Sequence, residues 1–152
     1  MMSMTREFSQ SILMALPFVE TLALLREGLE REDFQIVAEV PFHQAFKRQM
    51  GLQYGQYTVL LVWSPFLAYQ GLLSDSDAGV FMPFNIAVAD YGTTTLIATT
   101  NHLLFGRLSG SIGIQVLARD LTRKIRQVFC DLSTREKPTT DLVPSGQRKE
   151  AP

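Results

Sequence analysis

The sequence is poor in cysteine and histidine, and this scarcity excludes several kinds of site. It has one cysteine, Cys130, and two histidines in 152 residues, so no internal disulfide can form. The spacing of cysteines and histidines that is typical of a zinc site is also absent. One lone thiol favours a reducing compartment. We therefore expect a cytoplasmic protein with no metal and no cofactor.

An excess of charge of either sign is missing as well. The chain has 14 Lys and Arg against 15 Asp and Glu, a net charge of -1 and a charged fraction of 19%. A balance of this kind provides no general attraction to nucleic acid or to an anionic membrane. The hydrophobic fraction of 46% is sufficient for the core of one domain, so the composition excludes a disordered chain.

No hydrophobic run is long enough to cross a bilayer. The apolar residues 12–25 include Pro17 and Glu20, fall short of a membrane span, and lack a small-residue cleavage pattern. We therefore expect a soluble protein without a membrane association.

Catalytic motifs are absent too. The chain has neither the Gly-x-Ser-x-Gly pattern of a nucleophile elbow nor a phosphate-binding glycine-rich loop. Residues 106–113 are rich in glycine and precede a helix, whose N-terminus could meet an anion. They lack the Gly-Lys-Ser/Thr of a phosphate loop, and we expect a flexible connection there.

The clearest local signal is a strand followed by a helix. Residues 57–63 form a continuous apolar run, which favours a strand covered on both sides, although its periodicity alone also fits a buried helix. Ser64 is a good N-cap and Pro65 a good first helical residue, so a helix is predicted to begin there and to end near Leu73.

The remaining patterns predict alternating strands and helices. Strands are predicted over 11–16, 35–40, 84–89 and 93–100, the last two joined by a turn at 90–92. Helices are predicted after Pro17, after Pro41 up to Gly51, and over about 111–130. We expect Ile36, Ala38 and Val40 to share one face of their strand.

This element order favours an α+β domain with two layers, in which helices cover one face of a curved, mainly antiparallel sheet. We expect residues 1–8 to be disordered, residues 9–130 to form the single domain, and residues 131–152 to be a flexible tail.

Several segments together resemble the DUF302 family, a domain of unknown function. They are residues 51–52, 57–61, 63–69 and 82–88, with Asp90 and Gly92 at the hairpin turn. The resemblance implies a fold like that of the TATA-box-binding protein and a domain that is often dimeric. It is a likeness of architecture and implies no DNA binding.

The chain departs from this family at two positions. Many members have cysteines where this sequence has Trp63 and Phe84, so any thiol chemistry that relatives perform there is unavailable to it. The aromatic replacements fill the space with apolar bulk, in either a structural pocket or one that binds an apolar molecule. The predicted cleft lies between the middle helix and the sheet, with these candidate residues: Trp63, Ser64, Tyr69, Phe84 and Asn85.

Each candidate also has a purely structural interpretation. Asn85 could bond a neighbouring backbone group, and the aromatic side chains could belong to the core. Three arginines at helical spacing could grip phosphate or an acidic partner, or could form a solvated helix face: Arg119, Arg123 and Arg126.

We expect from these observations a non-enzymatic binding or accessory protein, a homodimer that takes a small apolar ligand. Two alternatives stay open. One is a redox- or metal-associated enzyme that uses His43, His102 or Cys130, with Asp75 or Asp90 as an acidic partner. The other is a protein-interaction module that docks a partner through an exposed strand or its basic last helix.

Overall fold

The apolar run at residues 57–63 becomes an inner strand of an antiparallel sheet. The structure, a computed structural model, describes residues 3–136, in which six strands pair in the order β1-β2-β6-β5-β4-β3. The strands are β1 (Ser3–Thr5), β2 (Ser9–Met14), β3 (Gln35–Pro41), β4 (Tyr57–Trp63), β5 (Phe84–Asp90) and β6 (Thr95–Thr100). The helices are α1 (Phe18–Arg31), α2 (Phe42–Met50), α3 (Pro65–Ser74), α4 (His102–Ser109) and α5 (Ile112–Arg135), with a 3-10 turn over Ser76–Val80.

One face of the sheet carries the hydrophobic core. Side chains alternate between the two faces of a strand, so every second residue of the inner strands points to the helices. These core residues are fully buried beneath α1 and α5, and α3 and α4 pack against α5. The predicted two-layer α+β fold is confirmed. The fully buried core side chains from the sheet are Ile12, Met14, Leu60, Val62, Ile86, Val88 and Ile97, and Phe84 of β5 belongs to the same core.

The predicted helix and turn signals correspond to real caps. Ser64 Oγ accepts a hydrogen bond from the Leu67 amide at 3.4 Å, and Pro65 opens α3. Gly51 ends α2 in the left-handed conformation with φ 65°, which glycine adopts without steric cost. The Asp90 carboxylate accepts from the Gly92 amide at 2.8 Å and holds the turn between β5 and β6.

The alternation predicted for β3 is wrong at one position. The register shifts between Ile36 and Ala38, which is a β-bulge. Ile36 therefore packs on the core. Ala38 and Val40 instead pair with residues of β4 whose side chains lie on the face of the sheet opposite the core. Glu39 takes a place on the helix side instead, where Arg26 of α1 binds it at 2.8 Å.

Two elements lie where no regular structure was expected. Residues 3–5 form β1, which pairs with β2, although the N-terminal segment was expected to be disordered. Residues 102–109 form α4, which overlaps the stretch 106–113 that was expected to be a flexible connection. Gly106 permits close packing of α4 on α5, because a Cβ there would lie 2.8 Å from the Ala118 Cβ.

The last helix also runs further than predicted, to Arg135 rather than to about residue 130. The rest of the expected flexible tail, from residue 137 onward, lies outside the described residues. Within residues 3–136, no helix has both the length and the apolar character that crossing a membrane requires.

Candidate functional site

The five predicted site residues have different surroundings. Trp63 lines a small apolar cleft of about 240 Å³, which we call the Trp63 cleft. Ser64 is buried as the N-cap of α3, and Tyr69 on the same helix is 63% exposed. Phe84 is 4% exposed within the core, whereas Asn85 is exposed on the opposite face of the sheet. The other residues that line the Trp63 cleft are Val37, Ala68, Leu72, Ala78, Gly79, Met82 and Pro83.

The strand register explains why Trp63 and Phe84 do not share a cleft. Phe84 pairs with Val62, and both side chains enter the core. Trp63 is the next residue of β4, so alternation directs it away from Phe84. Phe84 instead makes edge contacts with Phe34, at 5.6 Å between ring centroids, and with His102, at 4.7 Å. The apolar bulk expected at this position is therefore part of the core.

His102 is a buried histidine at the first position of α4. It is 3% exposed, and neither of its ring nitrogens bonds to a described residue. Burial lowers the pKa of His102 to about 4, because an imidazolium there would lose its hydration. The ring is consequently neutral at pH 7 and adds no charge to the core.

His43 has a structural environment at the other end of β4. Its Nδ1 lies 3.1 Å from the carbonyl oxygen of Tyr57 and 3.2 Å from the amide nitrogen of the same residue. One tautomer accepts from the amide and the other donates to the carbonyl. Either way, His43 fastens α2 to the first residue of β4.

The groups named for an enzymatic alternative stand in separate environments. His43 contacts Tyr57, whereas His102 contacts Phe84, which pairs with Val62 about 17 Å further along the sheet. Cys130 is an exposed free thiol on α5. Among the described residues, no group of three or more His, Cys, Asp and Glu side chains could hold a metal ion.

The three arginines of α5 border a groove of about 520 Å³ between α4 and α5. Arg123 is paired at 3.2 Å with Asp120 on the same helix and is largely exposed. Exposed pairs and solvated arginines of this kind contribute little to stability. Leu103 and Cys130 line the same groove, whereas the His102 ring is turned into the core.

A concave feature larger than the Trp63 cleft lies on the face of the sheet that the core helices leave open. It is a trough of about 550 Å³, which we call the sheet trough. Its floor is deepest at β2, β6 and β5, because the side chains that point into it from these strands are small. The register joins these floor residues into one row across four strands: Ser11, Ala98, Ala87 and Val59.

One end of the sheet trough is aromatic. Phe42 of α2 stacks on Tyr57 with 5.4 Å between ring centroids and 27° between planes. Tyr91, from the turn after β5, lines the same cavity. Burial raises the pKa of Tyr57, with smaller contributions from the nearby Tyr54 and Tyr91, so its phenol stays neutral. This wall offers flat apolar surface with hydroxyl groups at its edge.

The other end of the sheet trough combines polar side chains with the exposed Phe8. Ser9 pairs with Thr100, and Asn85 lies beside Thr100 because Ile86 pairs with Thr99. Arg6 stands at the rim of this end, in the connection between β1 and β2. The Asn101 side chain donates to the Glu7 carbonyl at 3.0 Å and holds that connection to β6.

Sequence reasoning missed the sheet trough except for Asn85. A signal was present, because the outward positions of β5 and β6 carry alanine where a solvated strand face usually carries polar residues. Recognising it required the pairing of Ser11 with Ala98, two residues that are distant in the chain.

Comparison with known proteins gives a family and a fold. The sequence model of the family described as "Domain of unknown function DUF302" matches residues 10–132. No curated protein matches the sequence. The crystal structure of an uncharacterized conserved protein DUF302 from Bacillus stearothermophilus has a similar fold, with a TM-score of 0.73 and 20% sequence identity. The similarity covers 80% of this chain and 94% of that chain.

Proposed function

Because the chain belongs to the DUF302 family, whose function is unknown, we propose a role from the geometry of its cavities. We propose that the protein is a non-enzymatic binding or accessory domain. Its ligand is a small, largely apolar molecule that lies in the sheet trough.

The observation that carries this proposal is the shape and lining of the sheet trough. Its volume of about 550 Å³ is in the ordinary range for small-molecule sites. Small side chains form its floor, and the ring of Tyr57 forms one wall. An apolar ligand placed there is stabilised by about 25 cal/mol for each Å² that leaves water, before the costs of ordering are subtracted.

A substitution that fills the sheet trough tests the proposal. Ala98→Phe places a ring on the floor, and Nile red, a neutral apolar dye, reports binding through its fluorescence. We expect the wild-type protein to enhance the fluorescence of Nile red and Ala98→Phe to lose at least tenfold in affinity. Circular dichroism verifies that the variant folds, and Ala87→Phe repeats the test from the neighbouring strand.

The Trp63 cleft is the second candidate for the ligand site. It corresponds to part of the cleft that we expected from the sequence, between the middle helix and the sheet. Its lining is almost wholly apolar, which favours a small apolar ligand, but at about 240 Å³ it holds less than most ligand sites. Gly79→Phe fills it, and a Cβ at Gly79 meets no atom of residues 3–136 within 4 Å. Loss of dye binding in Gly79→Phe, with retention in Ala98→Phe, would move the proposal to the Trp63 cleft.

A homodimer is part of the proposal. It is supported by the exposed apolar side chains around α2, since exposed apolar patches mark interaction surfaces. Sedimentation equilibrium tests it, and a monomer at micromolar concentration would contradict it. The exposed residues are Val40, Met50, Leu52 and Tyr54.

A cytoplasmic location also belongs to the proposal, supported by the free thiol of Cys130.

The enzymatic alternative needs two of its groups within hydrogen-bonding or metal-ligand distance. We do not extend the proposal to it, since both ring nitrogens of His102 lack a partner among the described residues and His43 binds backbone atoms.

A further inference from the structure

The two ends of the sheet trough differ in charge and polarity: one carries Arg6 and three polar side chains beside the exposed Phe8, and the other is aromatic. The polar row of Ser9, Thr100 and Asn85 lies at the end where Arg6 stands, and Tyr57 lies at the opposite end. The rows that contain Thr100 and Leu96 are four residues apart on β6, which corresponds to a distance of about 13 Å along the strand. A ligand that satisfies both ends has a polar group and an apolar body about 10 Å long.

The charge of the lining decides the sign of the polar group. Arg6 lines the sheet trough, and none of the described residues that line it is acidic. Within residues 3–136, the Arg6 side chain has neither a hydrogen bond nor an ion pair with another side chain. An anionic ligand therefore gains a partner there, whereas a cationic ligand gains none and meets a like charge.

We infer that the sheet trough selects a small anionic amphiphile, an aromatic or medium-chain aliphatic carboxylate. Its carboxylate lies between Arg6 and the polar row, and its apolar body lies over Ala98 and Ala87 towards the aromatic wall. This inference rests on the proposed function and adds the chemical class of the ligand.

The contribution of Arg6 is modest because the side chain is exposed. Exposed ion pairs are weak and are screened by salt. We therefore expect the charge to improve affinity by about fivefold at low ionic strength, with most of the affinity coming from the apolar body.

Three probes of matched shape test the inference: 2-naphthoate, 2-naphthamide and 2-naphthylmethylammonium. Calorimetric titration at low salt gives their dissociation constants for the wild-type protein, for Arg6→Gln and for Arg6→Lys. Arg48→Gln is the matched control, because it removes an exposed arginine that does not line the sheet trough.

We expect the wild-type protein and Arg48→Gln to bind naphthoate about fivefold more tightly than naphthamide, and the ammonium probe most weakly. Arg6→Gln should remove the preference for naphthoate, and Arg6→Lys should retain part of it. Equal affinity for the three probes, with binding still abolished by Ala98→Phe, would overturn the inference and leave the proposed function standing. Binding of none of the probes, or binding unaffected by Ala98→Phe and Ala87→Phe, would overturn both.

Discussion

The neutral, buried His102 predicts a loss of stability in acid. Its pKa in the folded state is lowered to about 4 from the ordinary 6.5, because burial opposes the charged form. The unfolded chain therefore takes up this proton at a higher pH than the folded protein does. The stabilisation is complete above pH 6.5 and is lost as the pH falls from 6.5 towards 4.

The size of the effect follows from the two pKa values. A difference of one pKa unit corresponds to about 1.4 kcal/mol, so the full loss below pH 4 is about 3 kcal/mol. At pH 5 the two pKa values give a loss of about 2 kcal/mol in the free energy of unfolding. This loss lowers the melting temperature by roughly 8 °C for a domain of this size. Solvent screening reduces this little, since the ring is 3% exposed.

His102→Leu isolates the contribution of this one group. The variant keeps apolar bulk beside Phe84 and removes two ring nitrogens that have no partner in the described part of the chain. Melting temperatures at pH 7 and pH 5 are measured by circular dichroism for the wild-type protein, for this variant and for His43→Gln. The wild-type protein and His43→Gln, which both retain His102, should lose roughly 8 °C more than His102→Leu.

The reasoning would be refuted if His102→Leu lost as much stability as the wild-type protein between the two pH values. In that case the acid sensitivity would come from other groups, and the His102 ring would be charged or hydrated in the folded protein.

Two further predictions concern packing. Gly113→Ala should lower the free energy of unfolding by about 1–3 kcal/mol, because the added Cβ would overlap the Ser74 side chain. Gly79→Ala has open space around the added Cβ within residues 3–136 and should change this free energy by less than about 0.5 kcal/mol. Urea unfolding measures both. His43→Ala should lower the free energy of unfolding by about 1 kcal/mol, because it removes the hydrogen bond between the imidazole and the Tyr57 backbone. It should also weaken naphthoate binding, because Tyr57 belongs to the aromatic wall. Unchanged stability and unchanged affinity would contradict this role of His43.

Elements whose signals are local were predictable from the sequence. The apolar run of β4, the Ser64 cap and the glycine that ends α2 act through neighbouring residues, and the strand and both caps are as predicted. The expectation that β4 is covered on both sides is wrong, because Tyr57 and Val59 line the open sheet trough. The helix α4 was missed because Gly106 was interpreted as a sign of flexibility. In the fold, that glycine is needed for the approach of Ala118, and a contact with a later helix leaves no local pattern.

The candidate site depended on pairing between distant strands. Trp63 and Phe84 belong to similar apolar segments, and only the register of Val62 with Phe84 reveals that one ring enters the core while the other does not. The floor of the sheet trough likewise exists only because Ser11 pairs with Ala98. Aromatic residues drew attention in the sequence, whereas small residues on an uncovered strand face form the larger cavity.

Binding in the sheet trough underlies both proposals, and an amide chemical-shift titration of the ¹⁵N-labelled protein with 2-naphthoate locates the ligand residue by residue. We expect saturable shifts at the amides of Ser11, Ala87 and Ala98, and no shift of the Trp63 indole signal. Shifts confined to Trp63 and its neighbours, or no saturable shift in any strand of the sheet, would contradict it.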